Sequence, residues 1–378
     1  MDRTFSEEIR LAHQVGSLKW LGGLFYLNNE ESPDTTHQTA LMPNGSVFFD
    51  EGIDDRLEQQ AVFGEVSYDL LPRLTATAGV RWARYDDKQS TVLEPNAVNG
   101  PFDVNQTKTT EKYELAWRPA DEQLLYALAS SGFRPGGFNS IAYNPLISAG
   151  AAIPKTYQSD SLWNYEIGWK QSLLEKRLSV DAAVYYIDWS NIQVTEFDPT
   201  GSYSFEGNAS RAHVYGIEAE LSAIAFEGLE LSLNGAYNDA ELAENEPGAG
   251  GHVPPHTDLP GLKGDRLPDV PIFSGSLVAH YTTSIGQMGL KGFITTSLSY
   301  TDASATAFRS DDPLYRTLPS YTLVNLRIGT DKGDWRVAAF VDNLTDRRAV
   351  LFIDPRAGYN RNYVNRPRTA GLTVTLNF

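Results

Sequence analysis

The chain has 378 residues, 41% of them hydrophobic and 11% aromatic, with a formal net charge of −17 and no cysteine. The acidic balance argues against nucleic acid as a partner, the missing cysteines exclude disulfides, thiolate metal sites and cysteine nucleophiles, and no run approaches the roughly 18 apolar residues of a spanning helix. A spanning strand needs only about 9–11 tilted residues, half of them apolar, so a low mean hydropathy leaves a transmembrane β-barrel open.

Period-two alternation of apolar and polar residues predicts about 15 strands along the chain. The segment Met1 to Glu8 has no apolar stretch and reads as no secretory signal. Strands follow over 4–13, 17–27, 57–70 and 73–86. In the fourth, Leu74, Ala76, Ala78, Val80 and Trp82 interleave with Thr75, Thr77, Gly79 and Arg81. Next come 109–118, 123–133 and 162–171, the last with Trp163, Tyr165, Ile167 and Trp169 on one face. Strands over 177–195, 203–223, 228–241, 271–284, 289–304, 319–330 and 334–343 lead to the closing one, 368–378. There Ala370, Leu372, Val374, Leu376 and Phe378 oppose Gly371, Thr373, Thr375 and Asn377.

The connections alternate between tight and long. Tight ones include Gln14-Val-Gly16, Leu71-Pro72 and Asp331-Lys-Gly333; long ones span 28–56, 87–108, 134–161, 242–270, 305–318 and 344–367, with a shorter one at 196–202. Short turns on one side and long loops on the other are the rhythm of an up-and-down membrane barrel. Aromatics near strand ends on the apolar face (Tyr26, Tyr68, Trp82, Trp117, Trp163, Tyr237, Tyr300) match interfacial girdles. An odd strand count would put Met1 on the outer side. Either a strand near Ser46 to Phe49 escapes the pattern or an N-terminal part is absent, and the lack of a signal segment favours the second.

Several stretches resemble TonB-dependent outer-membrane receptors. These are Ser131-Gly-Phe-Arg-Pro-Gly-Gly-Phe-Asn139, Asn164-Tyr-Glu-Ile-Gly-Trp169, Val184-Tyr-Tyr-Ile-Asp-Trp189, Val214-Tyr-Gly-Ile-Glu-Ala-Glu220, Val341-Asp-Asn-Leu-Thr-Asp-Arg347 and the segment Arg366 to Phe378. The resemblance implies an all-β, antiparallel transmembrane barrel, here about 15 strands of a 22-stranded one, with residues 1–378 as its C-terminal portion. It implies a bacterial outer-membrane location among lipid and lipopolysaccharide, and uptake of a scarce small-molecule ligand such as a ferric siderophore. It implies contact with the TonB complex only through an N-terminal region, with its plug domain, that this chain lacks. Phe378 would be the residue that barrel-assembly machinery reads.

Other chemistry finds little support. His252 and His256 could share a helical face, but Gly250, Gly251, Pro254 and Pro255 forbid the helix. Asp50, Asp54, Asp55 and Glu58 lack the spacing of a Ca²⁺ loop and read as a solvated acidic loop. No catalytic arrangement, cofactor motif or metal site stands out, so no enzyme is expected. A passive porin-like barrel, an enzyme carried on a barrel and a soluble β-protein stay open as alternatives. For a receptor, the candidate ligand contacts are Arg134, Phe138, Asn139, Tyr143, Tyr157, Arg309, Tyr315, Arg316, Arg356, Tyr359 and Arg361, all in long loops. Arginine forks and tyrosine rings are common anchors, and the arginines suggest an anionic ligand such as a metal chelate.

Overall fold

The computed structural model describes residues 2–32, 38–41, 47–93, 97–139, 153–197, 204–246, 260–286, 289–355 and 361–376. Fifteen strands form one continuous antiparallel wall in sequence order. They are β1 (Arg3–Val15), β2 (Leu18–Glu31), β3 (Val47–Leu71), β4 (Leu74–Leu93), β5 (Ala97–Trp117), β6 (Gln123–Gly132), β7 (Ser161–Leu173) and β8 (Leu178–Ser190), followed by β9 (Arg211–Phe226), β10 (Leu229–Leu242), β11 (Phe273–Ile285), β12 (Leu290–Thr301), β13 (Tyr321–Asp331), β14 (Trp335–Asp342) and β15 (Thr369–Leu376). No helix among the described residues is long and apolar enough to cross a membrane.

The meander arises from the turn chemistry. Gly16 and Gly228 take left-handed backbone at two tight turns. At Gly228 a Cβ would stand 2.2 Å from the carbonyl oxygen of Thr282, so the close approach there requires glycine. Arg73, also left-handed, ties its turn to the next one by donating to the Pro119 carbonyl (2.9 Å) and to Asp121 (2.8 Å).

The segment around Ser46 to Phe49 adds no wall strand. Val47 opens β3, and Gln38–Leu41 only pairs with that extension, off the main path. The connections read as long loops over 28–56 and 87–108 are largely strand, because β3 starts at Val47, β4 reaches Leu93 and β5 starts at Ala97. Above the apolar belt the ladder continues through polar residues on both faces, so hydropathy alternation stops while backbone pairing does not. Asp54, Asp55 and Glu58 therefore stand on β3 and not in a loop. Conversely, the strand predicted over 177–195 breaks at Asn191, which is left-handed, and a separate short strand, Gln193–Phe197, follows.

The two faces differ as the alternation predicts. Ile167 (63% exposed), Ile217 (55%) and Leu372 (76%) stand on the outer face, open to the surroundings. So many exposed apolar side chains would be anomalous in water and fit lipid. Aromatics bracket them: Tyr68 and Trp117 lie toward the short turns, and Trp82, Trp163 and Tyr237 toward the loops. Tyr165, Tyr186 and Tyr215 extend the loop-side belt with ring centroids 6.3 and 4.9 Å apart.

The inner face is polar and cross-linked. Lys112 bridges Glu65 and Glu114, each at 3.3 Å. Lys170 meets Asp181 at 2.5 Å, and the Tyr126 hydroxyl donates to Glu166 at 2.6 Å. Glycines recur there because each receives a ring from the opposite strand. Phe63 lies over Gly23, Tyr126 over Gly168, Tyr185 over Gly216, Phe293 over Gly329 and Phe340 over Gly371. A Cβ at Gly216 would sit 2.1 Å from the Tyr185 ring.

Candidate functional site

Elaborated structure gathers at the loop rim. Short strands pair there as Gly137–Phe138 with Thr156–Tyr157, Gln193–Phe197 with Ser204–Asn208, Ser304–Ala305 with Thr317–Leu318, and Val350–Asp354 with Arg361–Val364. A buried apolar cluster also lies here, where the loop-side ends of β8, β9 and β10 meet the connections above them. Ile192, Ala209, Ala212 and Leu242 form it, with Trp189, Val194, Leu267 and Phe308 packed around. Dry packing at this end gives the loops a rigid base, as a site built on loops needs.

The pivot of the rim is Asp160, 1% exposed and placed just before β7. Its carboxylate accepts from the Arg134 backbone N–H (2.7 Å), Arg134 Nε (2.6 Å) and Trp189 Nε1 (3.0 Å). The Arg134 guanidinium also lies 4.8 Å from the Trp189 ring and donates to the Gln193 carbonyl at 3.1 Å. Arg134, a candidate ligand contact, is thus engaged in holding β6, β7 and β8 together above the wall.

Asn139 has a comparable task. It is 5% exposed, its Nδ2 donates to the carbonyls of Pro154 (3.0 Å) and Glu206 (2.8 Å), and its Oδ1 accepts from the Glu206 N–H (2.8 Å). Phe138 faces Phe102 at 5.9 Å between centroids. Arg309 forks onto Asp311 at 3.0 and 2.7 Å, and Arg316 Nη1 donates to the carbonyls of Pro313 (2.9 Å) and Tyr315 (2.8 Å). Tyr157 and Tyr315 are half-buried, and Arg361 is exposed on its hairpin. Tyr143, Arg356, Tyr359 and Phe378 lie outside the described residues, as do His252 and His256. Among the described residues no cluster of three or more histidine or carboxylate groups could hold a metal ion.

The structure therefore groups Arg134, Phe138, Asn139 and Tyr157 around one hairpin, and Arg309, Tyr315 and Arg316 around another. Sequence reasoning missed Asp160 and Trp189, because an aspartate directly preceding an alternating strand reads as an ordinary turn residue.

It also missed a carboxyl pair. Asp55 on β3 and Asp87 on β4 share one face above the aromatic belt, and each has an oxygen shut from solvent without a partner. Burial, then the hydrogen bond and charge of Asp55, push the Asp87 carboxyl up to about 7. Two touching carboxyl groups hold best with one proton between them. A carboxyl raised in the folded state contributes stability that is fully present below the ordinary aspartate range and lost as pH rises through about 7. Amide exchange in the outer part of the β3–β4 hairpin, corrected for intrinsic rates, should speed up between about pH 4 and 7. Asp87→Asn should flatten that dependence, and an unchanged profile in the variant would exclude the pair as its source. Burial and the nearby Glu206 and Asp87 charges also raise the Tyr157 phenol above its ordinary value, so it stays a neutral hydroxyl throughout this range.

Comparison with known proteins places this geometry. Residues 1–344 match the family model described as TonB dependent receptor-like, beta-barrel. The metal-pseudopaline receptor CntO of Pseudomonas aeruginosa is 28% identical over 342 residues, covering 85% of this chain and 40% of that protein. The pesticin receptor of Yersinia pestis is 22% identical over 363 residues, covering 94% and 48%. Among solved structures, the ferric yersiniabactin uptake receptor FyuA from Yersinia pestis superposes with a TM-score of 0.77 at 18% identity, over 100% of this chain and 54% of that one. The siderophore receptor PiuA from Acinetobacter baumannii follows at 0.74, 16% identity and coverage of 99% and 56%. This chain spans about half the length of the proteins it matches. With the family model covering most of its length and the same antiparallel wall, the chain belongs to the TonB-dependent receptor-like β-barrel family.

Proposed function

We propose that residues 1–378 form one barrel domain of an outer-membrane receptor for energy-coupled uptake of a scarce nutrient, a ferric siderophore or similar metal chelate. The observation that carries this reading is the combination of an apolar outer face, a charged and cross-linked inner face, and elaborated hairpins confined to one rim. A ligand meeting such a rim from outside passes inward along polar groups. The names of the relatives agree: one is a receptor for metal-pseudopaline, another an uptake receptor for ferric yersiniabactin. Tyr157, Tyr315 and Arg361, with Arg356 and Tyr359, are the residues we assign to ligand contact. Arg134 and Asn139 hold the base of the hairpin that carries Tyr157.

The test is uptake of radiolabelled iron chelates by cells expressing an intact receptor that contains this chain. Uptake that a protonophore abolishes, and that the combined substitutions Arg356→Ala, Tyr359→Ala and Arg361→Ala weaken, is the expected result. Uptake insensitive to the protonophore would mark a passive porin-like barrel. Unchanged affinity in the triple variant would remove that loop from the site.

A further inference from the structure

A separate cavity of about 330 Å³ opens among the rim hairpins, beside the buried apolar cluster. Its walls come from four stretches distant in sequence, and Trp189, Ile192, Phe308 and Phe352 supply much of the apolar surface. One ionisable side chain, Asp269, is among its lining residues. The sequence gives no hint of it, since an aspartate in Leu267-Pro268-Asp269-Val270-Pro271 reads as an ordinary turn residue.

Three observations set Asp269 apart from such a residue. Its backbone is left-handed, with φ at +60°, and is fixed there by its N–H donating to the Ala305 carbonyl at 2.8 Å. Among the described residues no cation pairs with its carboxylate. The nearest arginines by sequence or hairpin are already taken, Arg266 by Asp239 at 2.8 Å and Arg309 by Asp311. Partial desolvation alone raises its pKa, with neither a cation nor a hydrogen bond opposing that rise. Asp269 is itself exposed, so its carboxylate stands hydrated at the edge of the apolar lining, open to a cation that reaches the cavity. Small-molecule sites are built in this way, mostly apolar with one or two polar groups that fix orientation.

We propose that this cavity is a binding site for a protonated amine carried on an aromatic or aliphatic body, with the ammonium at Asp269 and the apolar body against Phe308, Phe352 and Ile192. The ring walls favour a cation through their faces as well as an apolar body through burial. The same carboxylate turns anions away, which within a chain of net charge −17 adds to the selection. The inference goes beyond the uptake reading and rests on it only in placing ligand at the loop rim. It assigns a recognition chemistry for an amine-bearing part of a ligand, which the arginine-based expectation of a purely anionic one does not include.

Three indole probes of similar size test it against an intact receptor in detergent, by equilibrium dialysis: tryptamine as the cation, tryptophol as the neutral analogue and indole-3-propionate as the anion. Tryptamine should bind saturably, with tryptophol at least about tenfold weaker and the propionate weaker still. Asp269→Asn should remove the preference among the three, and Phe352→Ala should weaken them together without changing their order. Circular dichroism and heat-modifiable migration of both variants check that the sheet is intact. Equal binding of the three probes, a preference that survives Asp269→Asn, or no saturable binding would each overturn the proposal. Chelate uptake in cells is read separately. Tryptamine selectivity with no chelate uptake would count against the uptake reading alone, and the reverse against the amine site alone.

Discussion

Asp160→Ala should loosen the rim more than any other single truncation there. The carboxylate is fully buried and accepts three hydrogen bonds, two of them from Arg134. Removing it strands a backbone N–H, an indole N–H and a guanidinium whose other partner is one carbonyl, at 3.1 Å. The Arg134 side chain is 48% exposed, so water takes over much of its charge, and the cost falls on the stranded backbone and indole N–H groups, about 1–3 kcal/mol each. The loss should be local, since the wall strands below are held by their own ladders. Amide exchange should rise across 133–139 and 189–193 while β11–β15 stay protected. Asp160→Asn, which keeps one acceptor oxygen but not the charge, should fall between wild type and alanine. Unchanged protection in both segments would show that Arg134 and Trp189 are held by something else.

Ile167→Arg should be the most damaging surface change. Ile167 is 63% exposed in the middle of β7, between Ala127 on β6 and Val184 on β8. In a soluble protein an arginine there would be harmless. On a lipid-facing wall near the midplane it should cost roughly 2–4 kcal/mol. Ser276→Arg is the matched control. Ser276 faces the inside and lines a polar cavity of about 520 Å³ that also contains Asp181, Glu218 and Glu220. Added positive charge near three carboxylates in a wet space should be close to neutral. Urea titrations of refolding into lipid vesicles measure both. Equal effects at the two positions would contradict the assignment of faces.

Much of the wall was legible in the sequence because strand pairing and hydropathy report the same thing wherever one face meets lipid. Alternation through Leu74–Trp82 or Trp163–Trp169 locates β4 and β7 without further information. The same signal fails above the belt. There β3, β4 and β5 continue through residues such as Asp54, Lys88 and Gln106, where polar side chains occupy both faces. It fails again at Asn191, where one left-handed residue ends a strand that composition would have continued.

The rim was legible as a place, and much less so as a set of roles. Arg134 and Asn139 were singled out as anchors, and the structure binds both into the framework. A guanidinium is recognisable in a sequence, but its partner is decided by tertiary neighbours, here an aspartate 26 residues away. Asp269 illustrates the converse. Its distinguishing property is the lack of a partner among aromatic walls drawn from distant hairpins, which no local pattern encodes.

The rings laid over glycines have a consequence for how such a wall assembles. Sliding a strand by one residue turns its apolar face inward, an error that lipid itself rejects. Sliding by two keeps the faces correct and would otherwise pass unnoticed. Here it would move the Tyr185 ring from Gly216 onto Val214 or Glu218, and the Tyr126 ring from Gly168 onto Glu166 or Lys170. Phe340 would leave Gly371 for Thr369 or Thr373. Each ring needs the space that a missing side chain leaves, with Cβ positions only 2.1–2.6 Å away. The glycines thus act as detents spaced along the hairpins. Each newly paired strand can click into one position before the next is added, so that even-numbered misalignments are rejected locally and early, with no need for the finished wall to test them.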